Sequence, residues 1–159
     1  MIKTIVKWIL YIKAAGYVME AAGLKQSGQS KEIDVLARTI YGEARGEGMQ
    51  GMQAVANVVM NRAKNPGWWG RDVISVCKKP YQFSCWNLND PNYYKINTVT
   101  KESDPVFEDA LYIAQKAVSG QLTDLTDGAT HYHAANIEIP NWAWEMSLKG
   151  IIGSHVFYA

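Results

Sequence analysis

The chain has 159 residues, of which 48% are hydrophobic and 19% charged, so it can bury one core without disulfide or metal support. Its 16 basic and 15 acidic residues leave a net charge of +1, which argues against a nucleic-acid-binding protein that relies on a broad basic face. Six Trp and nine Tyr are more aromatic residues than such a core requires, and rings of this kind can stack on sugars.

Residues 1–30 predict an amphipathic helix followed by a linker. Apolar residues recur there at helical spacing: Ile2, Ile5, Val6, Ile9 and Ile12. Lys7 and Lys13 interrupt the apolar run, which is too short for a spanning helix of about 20 residues and unlike a secretory signal peptide. The helix is expected to dock on the domain or to make weak membrane contact through residues 2–20. Residues 23–30, rich in Gly, Ser and Gln, predict the linker.

Residues 31–159 predict one domain with three main helices. Ser30 is a plausible N-cap for a helix that ends near Tyr41, where the first of several glycines predicts a break. The apolar spacing predicts further helices over 49–63 and from 105 to about 120.

The remaining segments are shorter or irregular. Residues 68–97 have no sustained periodicity, which is typical of a functional loop region. Residues 129–134 predict a short extended segment, which precedes a turn at Pro140 and the final stretch, residues 151–158. The expected fold class is therefore α+β, predominantly α, as a single domain with an N-terminal helical extension.

The two cysteines, Cys77 and Cys85, flank a seven-residue run. A disulfide could close this loop, and two buried free thiols fit the pattern equally well. A metal site is not expected, because the second pair of ligands at zinc spacing is missing.

Glu43 stands where an apolar helix meets a cluster of glycines. A carboxyl group at such a boundary can project into a cleft and protonate the leaving oxygen of a glycosidic bond. Glu47 is a secondary candidate that would face Glu43 if the helix continued, but Gly46 argues against this. Taken alone, a glutamate beside glycines is more often a solvated loop residue.

Five linked motifs resemble the SleB-like cell wall hydrolase family. They are LARTIYGEARGEG at 36–48, GMQAVANVVMNR at 51–62, YQFSCW at 81–86, ATHYHA at 129–134 and GSHVFY at 153–158. The resemblance implies a lysozyme-like catalytic domain that cleaves the bond between N-acetylmuramic acid and N-acetylglucosamine. It also implies that Glu43 is the catalytic glutamate and that the enzyme is a lytic transglycosylase. Two origins fit such a compact enzyme: a phage endolysin and a bacterial wall-remodelling enzyme.

The residues themselves support part of this assignment. Asp72, Asp90 and Asp104 lie in loops with no relation to Glu43 that the sequence fixes. A single acid without an assignable partner suits a transglycosylase, in which the sugar's own C6 hydroxyl replaces water. A hydrolytic muramidase with two carboxyl groups remains open.

Several polar and aromatic residues are candidates for substrate binding. Gln82, Phe83, Ser84 and Trp86 are expected to line the cleft; the alternative is a turn with Ser84 as a cap and Phe83 in the core. Tyr132, the other secondary catalytic candidate, could contact the reacting sugar, orient Glu43, or belong to an ordinary half-buried strand.

His131 and His133 are also candidates for substrate binding, and their spacing raises a zinc alternative. Alternate positions of a strand share a face, so the two rings could bind zinc together with Glu43, as in a metallo-amidase. No His-Glu-x-x-His motif is present, and no metal or cofactor is predicted.

The other competing interpretations are a non-catalytic wall-binding module and a membrane-active protein that depends on residues 2–20. The preferred prediction is a monomer that acts on peptidoglycan glycan strands at the bacterial cell wall. It would be made in the cytosol and released by phage lysis, or exported.

Overall fold

The computed structural model describes the backbone of residues 2–159 and the side-chain surroundings of residues 18–20 and 22–159. The chain divides into two compact units, Met1–Lys31 and Glu32–Ala159. The predicted apolar stripe over Ile2–Ile12 and its membrane contact lie outside the residues whose side chains are described. Within the described part of the chain, no helix is both long and apolar enough to cross a membrane.

Helices account for most of the regular structure. Within the described backbone, the α-helices are α1 (Ile2–Ala44), α2 (Gly48–Lys64), α3 (Val73–Cys77), α4 (Asn92–Thr98) and α5 (Pro105–Val118). Short 3-10 helices cover Arg45–Glu47, Ser84–Trp86 and Asn141–Glu145. The strands in the same range are β1 (His131–Ala134), β2 (Leu148–Ile152) and β3 (His155–Tyr158).

The linker prediction for residues 23–30 is wrong, because these residues lie within α1 and Ser30 is not an N-cap. Leu, Lys and Gln are good helix formers, and each residue added to an existing helix gains a hydrogen bond without a new nucleation cost. The helix also ends at Ala44 rather than near Tyr41. The expected break falls at Arg45–Glu47, which forms the 3-10 turn between α1 and α2.

Helix α2 is buried on two sides, and this places it at the centre of the unit Glu32–Ala159. Met52, Val55 and Val59 belong to the main core with residues of α1, α3 and α5. Ala54 and Val58 pack instead against Ala129, Phe157 and the sheet residues around them. The predicted bounds of α2 and α5 agree with the structure to within about two residues.

The segment predicted to be irregular, residues 68–97, contains α3, a 3-10 helix and α4. Helix α3 begins with a capping box, in which Asp72 Oδ1 accepts from Ser75 N and the Ser75 hydroxyl accepts from Asp72 N. These helices have five, three and seven residues, so they are too short to show a hydrophobic period.

The antiparallel sheet has the order β1-β3-β2. The final stretch of the chain contains a hairpin, since residues 153 and 154 turn between β2 and β3. Tyr132 pairs with Phe157 in register and packs against it, with His155 on the same face. The opposite face of β1 carries His131 and His133.

Candidate active site

Glu43 lies in the last turn of α1 with a half-buried side chain. Its Oε2 accepts a 3.0 Å hydrogen bond from the Tyr132 hydroxyl, and its Oε1 accepts a 3.3 Å bond from Cys85 N. The carboxyl group is therefore held by one donor from the sheet and one from the 3-10 helix before α4. Each oxygen keeps a further lone pair for another partner.

Gly42 permits the close approach of the chain around Cys85. A Cβ atom on Gly42 would lie 2.7 Å from Cys85 Cβ and 2.9 Å from Cys85 Sγ. Glycine weakens a helix interior, but any side chain at position 42 would push Cys85 away. The backbone N–H of Cys85 could not then reach Glu43.

The Tyr132 ring packs between Phe157 and His155, with ring centroids 5.7 and 5.1 Å away. Burial, and then the neighbouring Glu43 carboxylate, raises the pKa of Tyr132 well above its usual value. The phenol thus stays protonated and acts as a donor to Glu43. This is the contact that the interpretation of Tyr132 as an orienting residue requires.

Arg62, which the sequence interpretation left without a role, anchors the start of β1. It is 6% exposed, and its Nε donates a 2.6 Å hydrogen bond to Thr130 O. Its guanidinium also lies over the rings of Trp69 and Phe83. Burial lowers the pKa of Arg62. The signal for this role was a charged residue at a position that helical spacing places on the inner face of α2.

Glu47 does not join Glu43 but binds the turn of the β2–β3 hairpin. Its Oε1 accepts a 2.6 Å bond from Ser154 Oγ, and its Oε2 accepts a 2.7 Å bond from Ser154 N. These bonds, the side-chain one first, lower the pKa of Glu47. Gly153 is required beside it, because its φ is +59° and a Cβ atom would collide with Glu47 Oε2. Both oxygens of Glu47 are thus occupied in fixing the hairpin.

The three aspartates that the sequence left unplaced also have structural partners. Asp72 caps α3, and Asp104 accepts from Val106 N and from the Tyr41 hydroxyl. Asp90 accepts from Asn92 N, and a hydrogen bond from the Ser84 side chain is the main cause of its lowered pKa.

The residues predicted to line the cleft, within 82–86, differ in how far their side chains are exposed. Phe83 is 1% exposed and packs in the core, which corrects the expectation that its ring lines the cleft. Gln82 Nε2 donates to Val76 O, and Ser84 is exposed beside Asp90. Trp86 is half-buried and donates from Nε1 to Thr39 Oγ1 at 2.9 Å.

His131 and His133 lie on the face of β1 opposite Tyr132, so they do not meet Glu43 as a zinc site would require. His133 is 8% exposed, and its ring nitrogens contact Ala134 O and the Tyr158 hydroxyl. His131 packs among the rings of Trp68, Trp69 and Trp142. Burial, and then Arg62, lowers the pKa of His131. Across the described residues, no three His, Cys, Asp or Glu side chains form a group that could hold a metal.

Cys77 and Cys85 are buried free thiols, so the structure has the second of the two expected arrangements. Burial raises the pKa of Cys77 to about 12 and that of Cys85 further. The thiols are therefore inert packing groups at neutral pH.

Comparisons with known proteins show the family of the chain. A family model described as Cell Wall Hydrolase matches residues 46–158, well over half of the chain. The chain belongs to this cell wall hydrolase family. The match begins just after Glu43, so the family assignment is independent of the proposed acid.

Individual relatives of the cell wall hydrolase point the same way. The chain is 29% identical over 140 residues to a spore cortex-lytic enzyme of Halalkalibacterium halodurans, covering 88% of this chain and 38% of the relative. It is 27% identical over 137 residues to the spore cortex-lytic enzyme of Bacillus subtilis, covering 86% and 40%. The chain thus spans about two fifths of the length of these curated relatives.

Two solved structures confirm the lysozyme-like, predominantly helical α+β fold expected from the SleB-like motifs. The catalytic domain of the Bacillus cereus SleB protein matches with a TM-score of 0.64 and 26% identity, over 82% of this chain and 91% of that domain. The catalytic domain of a germination-specific lytic transglycosylase, SleB of Bacillus anthracis, matches with a TM-score of 0.62 and 26% identity, over 80% and 93%.

Proposed function

We propose that this cell wall hydrolase cleaves the bond between N-acetylmuramic acid and N-acetylglucosamine as a lytic transglycosylase, with Glu43 as the acid and then the base. The observation that carries the proposal is the contrast between Glu43 and the four other acids that the sequence offered as possible partners. Glu43 is half-buried and held by Tyr132 and Cys85, whereas Glu47 and the three aspartates discussed above are engaged with other partners.

One carboxyl group suffices for both proton transfers of this reaction. Glu43 gives its proton to the oxygen that leaves C1 of the muramic acid. The carboxylate so formed takes the proton of the C6 hydroxyl, whose oxygen bonds to C1. No water is consumed, and the products are a 1,6-anhydromuramyl end and a free glucosamine hydroxyl.

Tyr132 is proposed as a positioning residue rather than as a second acid. Its phenol and the N–H of Cys85 contact different oxygens of Glu43, which restrains rotation of the carboxyl plane. Holding a reacting group in the productive geometry lowers the entropic cost of the reaction. Glu47 is proposed to act indirectly. It accepts hydrogen bonds from Ser154 and so holds the β2–β3 hairpin of the sheet that carries Tyr132.

Product analysis in H2(18)O tests the reaction type. Purified peptidoglycan is digested with the full chain, and the muropeptides are examined by mass spectrometry. Transglycosylation gives 1,6-anhydromuramyl ends without (18)O. Reducing muramic ends that carry (18)O would instead establish the hydrolytic muramidase, and released peptides with intact glycan would establish an amidase and overturn the proposal.

The monomeric state and the route to the wall are part of the same proposal. We expect a monomer in solution, which light scattering of the full chain tests. We expect the protein at the wall after phage lysis or export, and fractionation of the producing cells before and after lysis separates these routes.

A further inference from the structure

A groove beside the candidate site has no role in the reaction described above. Two chain segments line it, residues 78–81 and 86–89, and it encloses about 590 Å³. These segments flank residues 82–85, which include the Cys85 N–H that contacts Glu43. The groove therefore belongs to the same loop region as the active-site donor.

The charge of this groove is purely basic. Lys78 and Lys79 are exposed, and the other lining residues are uncharged. Lys78 Nζ lies 4.6 Å from the centroid of the Trp86 ring, which holds the ammonium group at the wall of the groove. The side-chain amides of Asn87 and Asn89 add neutral donors and acceptors. This lining is complementary to a ligand that carries carboxylates and amides.

Apolar side chains are also exposed around the groove. Tyr81 is 90% exposed and Leu88 is 82% exposed. Tyr81 has a φ of +63°, a left-handed conformation that is uncommon for an aromatic residue and that turns the chain at this point. The groove thus combines an apolar rim with basic groups, as a binding surface for a short peptide does.

Trp86 connects this groove to the active site. Its Nε1 donates to Thr39 Oγ1, and Thr39 precedes Glu43 by one turn of α1, about 6 Å along the axis. The Trp86 wall of the groove is therefore held about one turn of α1 away from Glu43.

We propose that the groove binds the carboxylate-bearing peptide stem of peptidoglycan. The inference rests on the proposed function, because it assumes that muramic acid occupies the site at Glu43. The stem branches from the muramic acid, the same sugar whose C1 is attacked, so it leaves the glycan close to the reacting atoms. Its free carboxylates match the ammonium groups of Lys78 and Lys79, and its amide bonds match the asparagines.

Binding measurements on the full chain with Glu43→Gln test this assignment without turnover. The probes are a muramic acid–glucosamine disaccharide that carries its peptide stem and the same disaccharide without the stem. We expect the stem to improve the affinity about three- to tenfold at low salt, as two exposed charge pairs can, and the gain to fall as salt is raised.

Variants at the two lysines locate the effect. Lys78→Gln with Lys79→Gln should abolish the gain and leave the affinity for the stem-free disaccharide unchanged. Lys78→Arg with Lys79→Arg should keep it. The control, Lys64→Gln with Lys101→Gln, makes the same charge change at exposed positions outside the groove and should also keep the gain.

Three results would overturn the assignment. The first is equal affinity for the disaccharides with and without the stem, and the second is an equal loss of affinity for both disaccharides in the double glutamine variant. The third is a control variant that loses the gain from the stem as fully as the double glutamine variant does. A gain for isolated wall teichoic acid rather than for the stem would assign the groove to a phosphate polymer instead. Because binding is measured without turnover, these outcomes are distinct from the product analysis that tests the reaction type.

Discussion

The Tyr132 hydroxyl donates a 3.0 Å hydrogen bond to Glu43 Oε2 across 89 positions of sequence. This bond joins the last turn of α1 to the first strand of the sheet. We propose Glu43 as the acid and Tyr132 as the group that holds it in place, because burial and Glu43 raise the pKa of Tyr132 and keep its phenol protonated as a donor.

Glu43→Gln should abolish cleavage of peptidoglycan while leaving the fold intact. Loss of a general acid costs about 10²- to 10⁴-fold in rate. Gln keeps the shape of the side chain, and its amide oxygen can accept from Cys85 N while its amide nitrogen donates to the Tyr132 oxygen. Muropeptide release measures the activity, and thermal unfolding measures the fold. Activity within tenfold of wild type, with an unchanged Tm, would remove Glu43 from the proposed role.

Tyr132→Phe should lower kcat by about 10- to 100-fold, the equivalent of one hydrogen bond to a charged group. The Phe ring keeps the packing against Phe157, so KM should change by less than about twofold. Steady-state kinetics on soluble glycan strands separate the two constants. A rise in KM at constant kcat would show that Tyr132 binds the sugar instead of positioning Glu43.

Gly42→Ala should destabilise the protein by about 1–3 kcal/mol, because the new Cβ atom collides with Cys85. Activity should also fall, since Cys85 N moves away from Glu43. The matched control is Gly46→Ala, where nothing lies within 4 Å of the added atom. Its free energy of unfolding should stay within about 0.5 kcal/mol of wild type. Equal effects of both changes in chemical denaturation would contradict the close packing at Gly42.

Glu47→Gln should make the protein less stable at neutral pH but not in acid. The pKa of Glu47 in the folded protein lies below its ordinary value of 4.5 because Ser154 donates to the carboxylate. The stability that the hydrogen bonds from Ser154 contribute is complete at pH values above the ordinary pKa of Glu47. It is lost as the pH falls through the lowered pKa. The difference in Tm between wild type and the variant should therefore shrink from pH 7 to pH 3.

An exposed glutamate provides the control for this pH dependence. Glu145→Gln removes the same charge from an exposed side chain in the 3-10 helix before β2. Its Tm difference from wild type should be small at every pH between 3 and 7. If the two variants follow the same curve, the clamp between Glu47 and Ser154 contributes no pH-dependent stability.

Local periodicity predicted the two helices that frame the core. Helices α2 and α5 have long apolar stripes, and their bounds agreed closely with the structure. Periodicity failed where no pattern could develop, in the short helices of residues 68–97. It failed again at residues 23–30, where exposed polar residues that suggested a linker continue a helix already begun.

The sequence by itself determined the family, through five motifs, and directed attention to Glu43. Only the tertiary structure decided which partners reach that residue and which candidates are committed elsewhere. Phe83 is in the core, Glu47 binds Ser154 across 107 positions, and Arg62 fixes the start of β1. The physical reason is that spacing along the chain encodes which face of an element is buried, whereas hydrogen bonds between remote elements depend on how those faces pack.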